Sequence, residues 1–98
     1  MKLQMFSVYD RAVNAYLQPF FCRSLGEAIR SFTEAVNDPT KPFGKYATDY
    51  ALHGFGEFDD NAGSFLVHEP VRVVAANEVI EQDIMAPEPA SNVKRMPM

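Results

Sequence analysis

Residues 24–39, SLGEAIRSFTEAVNDP, constrain the fold of this chain most, because they carry the start, the buried face and the end of one helix. Ser24 and Glu27 have the S-x-x-E spacing of a capping box, in which each side chain accepts a hydrogen bond from a free backbone N–H. A continuous apolar stripe follows at helical spacing, made of Leu25, Ala28, Ile29, Phe32, Ala35 and Val36. Pro39 disfavours a helical conformation at Asp38, so the segment predicts an amphipathic helix of about 14 residues.

Four segments around this helix have the composition and alternation of β-strands. They are residues 2–9, 15–23, 49–58 and 64–74. The polar strings DRAVN and DDNAG join them in pairs and predict two hairpins. Pro19 has no N–H for a ladder, so the second strand should lie at a sheet edge or carry a bulge there. The order ββαββ predicts an α+β fold, with a four-stranded, mainly antiparallel sheet and the helix on one face.

Composition divides the chain into one domain and a tail. A chain of 98 residues can bury a single core, and we assign residues 1–75 to it. The sequence then turns acidic and afterwards proline-rich, which predicts a flexible tail over residues 76–98, with a short helical turn around 77–85. No apolar run approaches the roughly 18 residues of a membrane span, and no signal-peptide pattern begins the chain. We therefore expect a cytoplasmic protein that does not bind membranes.

One helix covers only one face of the predicted sheet, and neither face is polar. The apolar side chains that we assign to an oligomer or stacking face are Phe6, Val8, Tyr16, Phe20 and Phe55. A patch of this kind is too large for a solvated monomer. We expect either a second subunit, most simply in a homodimer, or a stacking ligand to cover it. A barrel-like curl of the sheet, or a C-terminal segment that folds back, would also cover it.

No catalytic constellation is present in the sequence, which predicts a protein that is not an enzyme and has no cofactor. His53, His68 and the single cysteine, Cys22, lack the clustered partners that a metal site needs. Asp59 and Asp60 resemble paired carboxylates, but the neighbouring Asn and Gly residues indicate a turn. Cys22 cannot form an intramolecular disulfide and is expected to be a buried small hydrophobe, which fits a reducing compartment.

The charge distribution limits where an anionic ligand could bind. The net charge of −4 disfavours a protein that binds nucleic acid through a general basic surface. The first 56 residues carry six basic and five acidic groups, whereas residues 57–88 carry eight acids and one arginine. The candidate nucleic-acid-binding residues, which we expect to form one patch, are Arg23, Arg30, Lys41, Phe43, Lys45 and Tyr46. The residues alone leave open a protein-interaction or oligomer module as well.

Several blocks of the chain resemble, in the same order, the small nonstructural protein of gokushovirus-type microviruses (Microviridae), which are phages with single-stranded circular DNA genomes. The blocks are MKLQMFSVYD, AYLQPFF, GEAIRSFTEAVNDP, TDYALHGFGEFDD and NAG, and they lie within residues 1–70. QPFF and AVNDP are the most distinctive strings.

The resemblance implies a non-enzymatic phage protein of the bacterial host cytoplasm, outside the virion, that binds DNA during replication and packaging of the genome. We expect single strands to be preferred, because aromatic residues outnumber cations in the candidate surfaces. The alternative is an oligomeric module that binds a replication or assembly protein without contacting DNA.

Overall fold

The computed structural model describes residues 1–81, which form one antiparallel sheet with a long helix packed on one face. The elements are β1 (Lys2–Asp10), β2 (Ala15–Tyr16), β3 (Phe20–Cys22), α1 (Leu25–Val36), β4 (Tyr50–Asp59), β5 (Ser64–Ala75) and α2 (Ala76–Val79). β1 and β4 are the central strands; β2 and β3 lie beside β1, and β5 lies beside β4. The α+β class and the antiparallel sheet are confirmed, but the sheet has five strands rather than four and a second helix follows it.

The predicted strand over residues 15–23 is divided in two at Pro19. β2 and β3 both pair with β1, and residues 17–19 between them are not in a strand. The backbone N–H of Leu17 still donates to the carbonyl of Val8 at 2.8 Å, which keeps the interruption next to β1. Because no further strand of residues 1–81 pairs with β2 or β3, the expected position of Pro19 at a sheet edge is confirmed.

Helix α1 begins and ends where its sequence signals lie. The side chain of Ser24 accepts a hydrogen bond from the backbone N–H of Glu27 at 3.1 Å, and Asn37 is the C-cap. The other half of the predicted capping box differs, because the Glu27 carboxylate accepts from the backbone N–H of Arg23 rather than from that of Ser24. Two hydrogen bonds therefore stabilise the start of the helix. The one accepted by Glu27 comes from the residue before the N-cap rather than from the N-cap itself.

The hydrophobic core lies between α1 and one face of the sheet, which we call the inner face. Ala28, Phe32 and Val36 of α1 are buried there together with Leu52 of β4 and Cys22 of β3. Phe6 and Val8 of β1 are also buried in this core, and Phe20 packs against it. The prediction that these three residues share an uncovered face with Tyr16 and Phe55 is wrong. The strand period was compatible with either face, and α1 covers the one that carries Phe6.

Residues 76–81 belong to the packed domain, which corrects the boundary placed at residue 75. Ala76 is fully buried, and Val79 and Ile80 pack against the core. The side chain of Asn37 donates to the carbonyl of Val79 at 3.1 Å and accepts from the N–H of Glu81 at 2.7 Å. Apolar spacing at 76, 79 and 80 therefore outweighs the acidic composition of this segment. The predicted tail over residues 82–98 lies outside the described residues.

The hairpin of β4 and β5 contains the largest irregularity of the sheet. Gly54 pairs with Val71 and Gly56 with Val67, so a single residue of β4, Phe55, lies opposite three residues of β5. Gly56 has a φ of 133° and faces the carbonyl oxygen of Leu66, which would lie 2.0 Å from a Cβ atom at this position. A residue other than glycine cannot occupy this position without displacing β5. None of the helices within residues 1–81 is long and apolar enough to cross a membrane.

Candidate functional site

The sheet face opposite α1, which we call the outer face, carries a row of side chains that no helix of residues 1–81 covers. Cross-strand pairing places alternate residues of β1 and their neighbours on this face. They include Met5, Ser7, Tyr9, Tyr16, Phe21, His53, Phe58, Phe65 and Arg72. Of these nine residues Ser7 is buried, four are half-buried and four are exposed. The outer face therefore presents exposed aromatic side chains, among them Tyr16, Phe21 and Phe65.

Four rings on this face form a contiguous group, which we call the outer aromatic cluster: Tyr9, Tyr16, His53 and Phe55. The ring centroids of Tyr9 and Tyr16 lie 4.9 Å apart, and those of Tyr9 and His53 lie 5.5 Å apart in a stacked arrangement. The ring centroids of Tyr16 and Phe55 lie 5.2 Å apart in an edge-to-face arrangement. Phe55 is the unpaired residue between Gly54 and Gly56, so the bulge in β4 is what brings its ring to the cluster.

A cleft of about 310 Å³ opens beside this cluster. Its walls are mainly apolar and are formed by Met5, Ser7, Tyr16, Leu17, Pro19, Phe55, Val67 and His68. Ser7 is almost fully buried, and its hydroxyl donates a hydrogen bond to the carbonyl of Leu17, which satisfies the polar group of this side chain. Apolar clefts of about 300 Å³ or more are large enough for a small planar ligand. The break in the edge strand at residues 17–19 supplies one of the walls.

Two arginines border the other side of the cluster. Arg11 and Arg72 line a second depression of about 400 Å³ together with Tyr9 and His53. Each guanidinium is engaged with a carboxylate at 2.9 Å, Arg11 with Asp49 and Arg72 with Glu78. Exposed ion pairs of this kind are worth at most about 1 kcal/mol, so an incoming anion can compete for either guanidinium.

His53 packs against Tyr9 and Tyr16 of the cluster and is held in its neutral form. Burial, and secondarily the positive charge of Arg72, lower the pKa of His53 below its ordinary value of 6.5. The hydroxyl oxygen of Tyr16 lies 2.8 Å from Nδ1 of His53. In the neutral ring that carries its proton on Nε2, Nδ1 accepts this hydrogen bond from Tyr16. At neutral pH the ring therefore acts as an uncharged stacking group and not as a cation.

The six predicted nucleic-acid-binding residues do not form one patch, which corrects that expectation. Arg23 and Arg30 line a depression at the N-terminal end of α1, and Lys41 and Lys45 line another beyond its C-terminal end. The two depressions have no lining residue in common. α1 has 12 residues and is therefore about 18 Å long, which separates the two pairs of cations.

Several of these predicted residues are also engaged within the chain. Arg23 pairs with Glu27 at 2.9 Å, and Lys41 lies 3.7 Å from Asp38. Lys45 lies over the ring of Tyr46, with 5.5 Å between Nζ and the ring centroid. Phe43 packs against the core in edge contact with Tyr50. The loop after α1 thus contributes to the fold more than the sequence indicates.

Sequence reasoning missed Tyr9, His53, Arg11 and Arg72 as members of a site. The sequence did contain a signal for Tyr9, because the alternation of the strand places it on the same face as Leu3 and Met5. Arg11 and Arg72 belong to separate hairpins, and only the pairing of β1 with β4 and of β4 with β5 brings them to one end of the outer face.

The chemistry available at this surface is that of stacking and weak anion binding. Within residues 1–81, no group of three or more His, Cys, Asp or Glu side chains is arranged to hold a metal ion.

The expected burial of Cys22 is confirmed, and burial together with the negative charge of Glu27 raises the pKa of its thiol. The thiol is thereby kept protonated and unreactive.

Comparison with known proteins identifies a family to which the chain belongs. A family model described as phage ORF5 protein matches residues 3–79, which is 77 of the 98 residues. The matched range contains every helix and strand of the structure except Lys2 of β1, and therefore every residue of the outer aromatic cluster. Neither a search of curated proteins nor one of solved structures found a significant match.

Proposed function

Because the chain belongs to the phage ORF5 protein family, we propose that it is a non-enzymatic phage protein that binds single-stranded DNA across the outer face of its sheet. The blocks that it shares with the gokushovirus nonstructural protein support a role in replication and packaging of a single-stranded genome. That role places the protein in the cytoplasm of the bacterial host and outside the virion.

The outer aromatic cluster is the observation that carries this proposal. Unpaired bases stack on aromatic side chains presented by sheet strands, and each stacked base is worth about 1–3 kcal/mol. Tyr16 is 40% exposed, and its ring stands between Tyr9 and Phe55 beside the apolar cleft. A base that enters the cleft would contact Tyr16 and Phe55 and would leave its backbone at the rim.

The charges near the cluster support a weak and salt-sensitive interaction. Arg11 and Arg72 are the cations that border the cluster, and each must exchange a carboxylate for a phosphate. Neutralisation of one or two phosphates gives a salt dependence of about one to two units of slope, far below that of a duplex-binding protein. Stacking on unpaired bases therefore supplies most of the affinity, which is why a single strand fits this surface better than a duplex.

The test is a fluorescence-anisotropy titration of the whole protein against a labelled oligothymidylate at low salt and at about 200 mM salt. Tyr16→Ala and Phe55→Ala should each weaken binding by about 5- to 150-fold, the equivalent of one lost stack. Tyr46→Ala is the matched control, because Tyr46 is a tyrosine of similar exposure on the loop after α1. It should bind as wild type does.

Two further results decide between the candidate surfaces. Arg11→Gln should reduce the slope of the salt dependence by about one unit, whereas the Lys41→Ala, Lys45→Ala double variant should leave it unchanged. If Tyr46→Ala or the lysine variant loses as much affinity as Tyr16→Ala, the outer face is not the binding surface. An absence of binding at tens of micromolar protein in low salt would refute the DNA proposal and favour the protein-interaction module.

A further inference from the structure

The end of β5 next to its turn exposes apolar side chains on both faces of the sheet. Phe65, Leu66 and Val67 are 60%, 70% and 63% exposed, although they are consecutive residues of a strand and so alternate between the faces. One side of β5 pairs with β4, and no strand of residues 1–81 pairs with its other side. A ligand on the outer face would leave Leu66 in water. A strand that pairs with the free edge places side chains beside residues of both faces at once.

We propose that this strand is β5 of a second copy of the chain, paired antiparallel about a two-fold axis at Leu66. An antiparallel pair of identical strands is self-complementary, because one surface meets itself. When the axis is perpendicular to the sheet, both outer faces lie on the same side, and residues on the same face must pair. This condition restricts the register to those centred on a residue.

Among these registers, the one centred on Leu66 matches the side chains. It pairs Phe65 with the partner's Val67 on the outer face and Leu66 with the partner's Leu66 on the inner face. Aromatic and β-branched side chains are favourable cross-strand neighbours. A register centred on Val67 would instead place Phe65 opposite the partner's Glu69. One centred on Phe65 would place Leu66 opposite the partner's Ser64.

The backbone of β5 supports the same register. The carbonyl oxygen of Leu66 points towards β4, since it would lie 2.0 Å from a Cβ atom at Gly56. In an antiparallel ladder the polar groups of alternate residues point to opposite sides, so those of Phe65 and Val67 point to the free edge. Pairing these two residues across the axis forms four hydrogen bonds between the copies. The ladder between the copies ends where Ser64, the first residue of β5, pairs with the partner's His68.

The register centred on Leu66 also avoids repulsion between like charges. It places Glu69 level with the partner's Gly63, while Asp60 keeps its own pair with the N-terminal amine at 2.8 Å. No two carboxylates then face each other across the axis.

The interface is short and the association should be weak. About five residues of each strand pair. The area that they bury is well below the roughly 1,600 Å² of a standard interface. The two outer faces become continuous in this dimer, so a single strand of DNA could cross from one copy to the other. The dimer itself is independent of the proposed DNA binding and is tested without DNA.

Cysteine cross-linking of the full chain tests the register. Residues on the axis form a pair without mutual hydrogen bonds, with Cα atoms about 4.5 Å apart, which is within the range of a disulfide. Oxidised glutathione would convert the two thiols of Leu66→Cys into one intermolecular disulfide and be reduced itself. Leu66→Cys should cross-link at least ten times faster than Phe65→Cys, whose own symmetry mate is not opposite it.

Two controls set the background. Val13 is 67% exposed in the turn between β1 and β2, so the rate at which Val13→Cys cross-links measures random collision. The wild-type protein measures any cross-linking through the native Cys22, which is buried. Cross-linking of Leu66→Cys no faster than Val13→Cys would overturn the proposal, and so would faster cross-linking of Phe65→Cys, which would require another register.

Sedimentation equilibrium gives a readout that does not depend on cysteine chemistry. Wild type should show a concentration-dependent dimer, and Leu66→Arg should not, because two guanidinium groups would meet on the axis. A wild-type protein that stays monomeric up to about 1 mM, the upper range of weak association, would contradict the proposal.

Discussion

The two faces of the sheet are built from alternate residues of the same strands, yet they differ in what their aromatic side chains do. On the inner face Phe6 is 3% exposed and packs under α1 beside Leu52. On the outer face Tyr16 is 40% exposed, and its neighbours are other rings of the same face. Burial of aromatic area on the inner face stabilises the fold. The same kind of side chain on the outer face remains available to a ligand.

The difference between the faces arises from a single helix. α1 has one apolar stripe, and its buried residues Ala28, Phe32 and Val36 all meet the inner face. Nothing in residues 1–81 provides a second layer for the outer face. The outer rings reduce their exposure by stacking on each other instead, which leaves them half-buried and in a fixed arrangement.

The largest expected effect separates the two faces by stability. Phe6→Ala should reduce the free energy of unfolding by about 3–5 kcal/mol, because it leaves a cavity under α1. Phe65→Ala, a matched substitution on the outer face, should cost about 1 kcal/mol or less, since the side chain is mostly exposed. Urea denaturation measures both. Equal losses for the two variants would show that the outer face is covered as well as the inner one.

The next effect concerns the bulge that carries Phe55 to the outer face. Gly56→Ala should cost about 1–3 kcal/mol, because a Cβ atom would collide with the carbonyl of Leu66 and the φ of 133° is strained for alanine. Gly63→Ala is the control, since Gly63 also has a positive φ of 68° but has nothing within 4 Å of the added atom. In thermal denaturation, Gly56→Ala should have a lower melting temperature than Gly63→Ala. The reverse order would mean that β5 does not approach Gly56.

The helix and the edge position of Pro19 could be predicted because their signals are local. A cap, a stripe and a proline act within a few residues, and α1 begins and ends where they lie. The choice of covered face could not be predicted, because Met5 and Phe6 are both apolar and only the docking of α1 distinguishes them. Likewise, Arg23 and Lys41 are close in sequence but separated by the length of α1. The cluster of Tyr9 and His53 depends on pairing between strands about 40 residues apart, which leaves no local signal.

A smaller effect tests whether the inner face depends on the cap of α1. Ser24→Ala removes the acceptor for the N–H of Glu27 and should cost about 0.5–2 kcal/mol. Ser31→Ala, on the exposed side of α1, should be neutral or slightly stabilising, because alanine favours the helix. Binding to the outer face should be unchanged in both variants. An unchanged melting temperature for Ser24→Ala would show that the cap does not stabilise the fold.

The smallest effect is a pH dependence that belongs to the outer face. The folded state lowers the pKa of His53, so the unfolded chain binds its proton more readily, and stability falls as pH drops below 6.5. Hydrogen bonds lower the pKa of the carboxylates of Glu27, Asp38, Asp59 and Glu78. The stability that these carboxylates contribute is lost only at lower pH, so the range from 6.5 to about 5 isolates His53.

Urea denaturation at several pH values measures this effect. His53→Gln should flatten the decline between pH 6.5 and about 5, whereas His68→Gln, which retains His53, should keep it. The groups that face His53 are Tyr9, Tyr16 and Arg72, and all three remain in both variants. A decline that persists in His53→Gln would show that the ring is not held neutral by the outer face.

The central claim is that the outer face, and not the basic groups around α1, is the functional surface. An NMR titration of the isotope-labelled protein with an oligothymidylate tests it most directly, because each residue reports separately. We predict that the signals of Tyr16, His53, Phe55 and Val67 shift, while those of Arg30, Lys41 and Tyr46 stay in place. Shifts confined to the ends of α1 and the loop after it would contradict the claim.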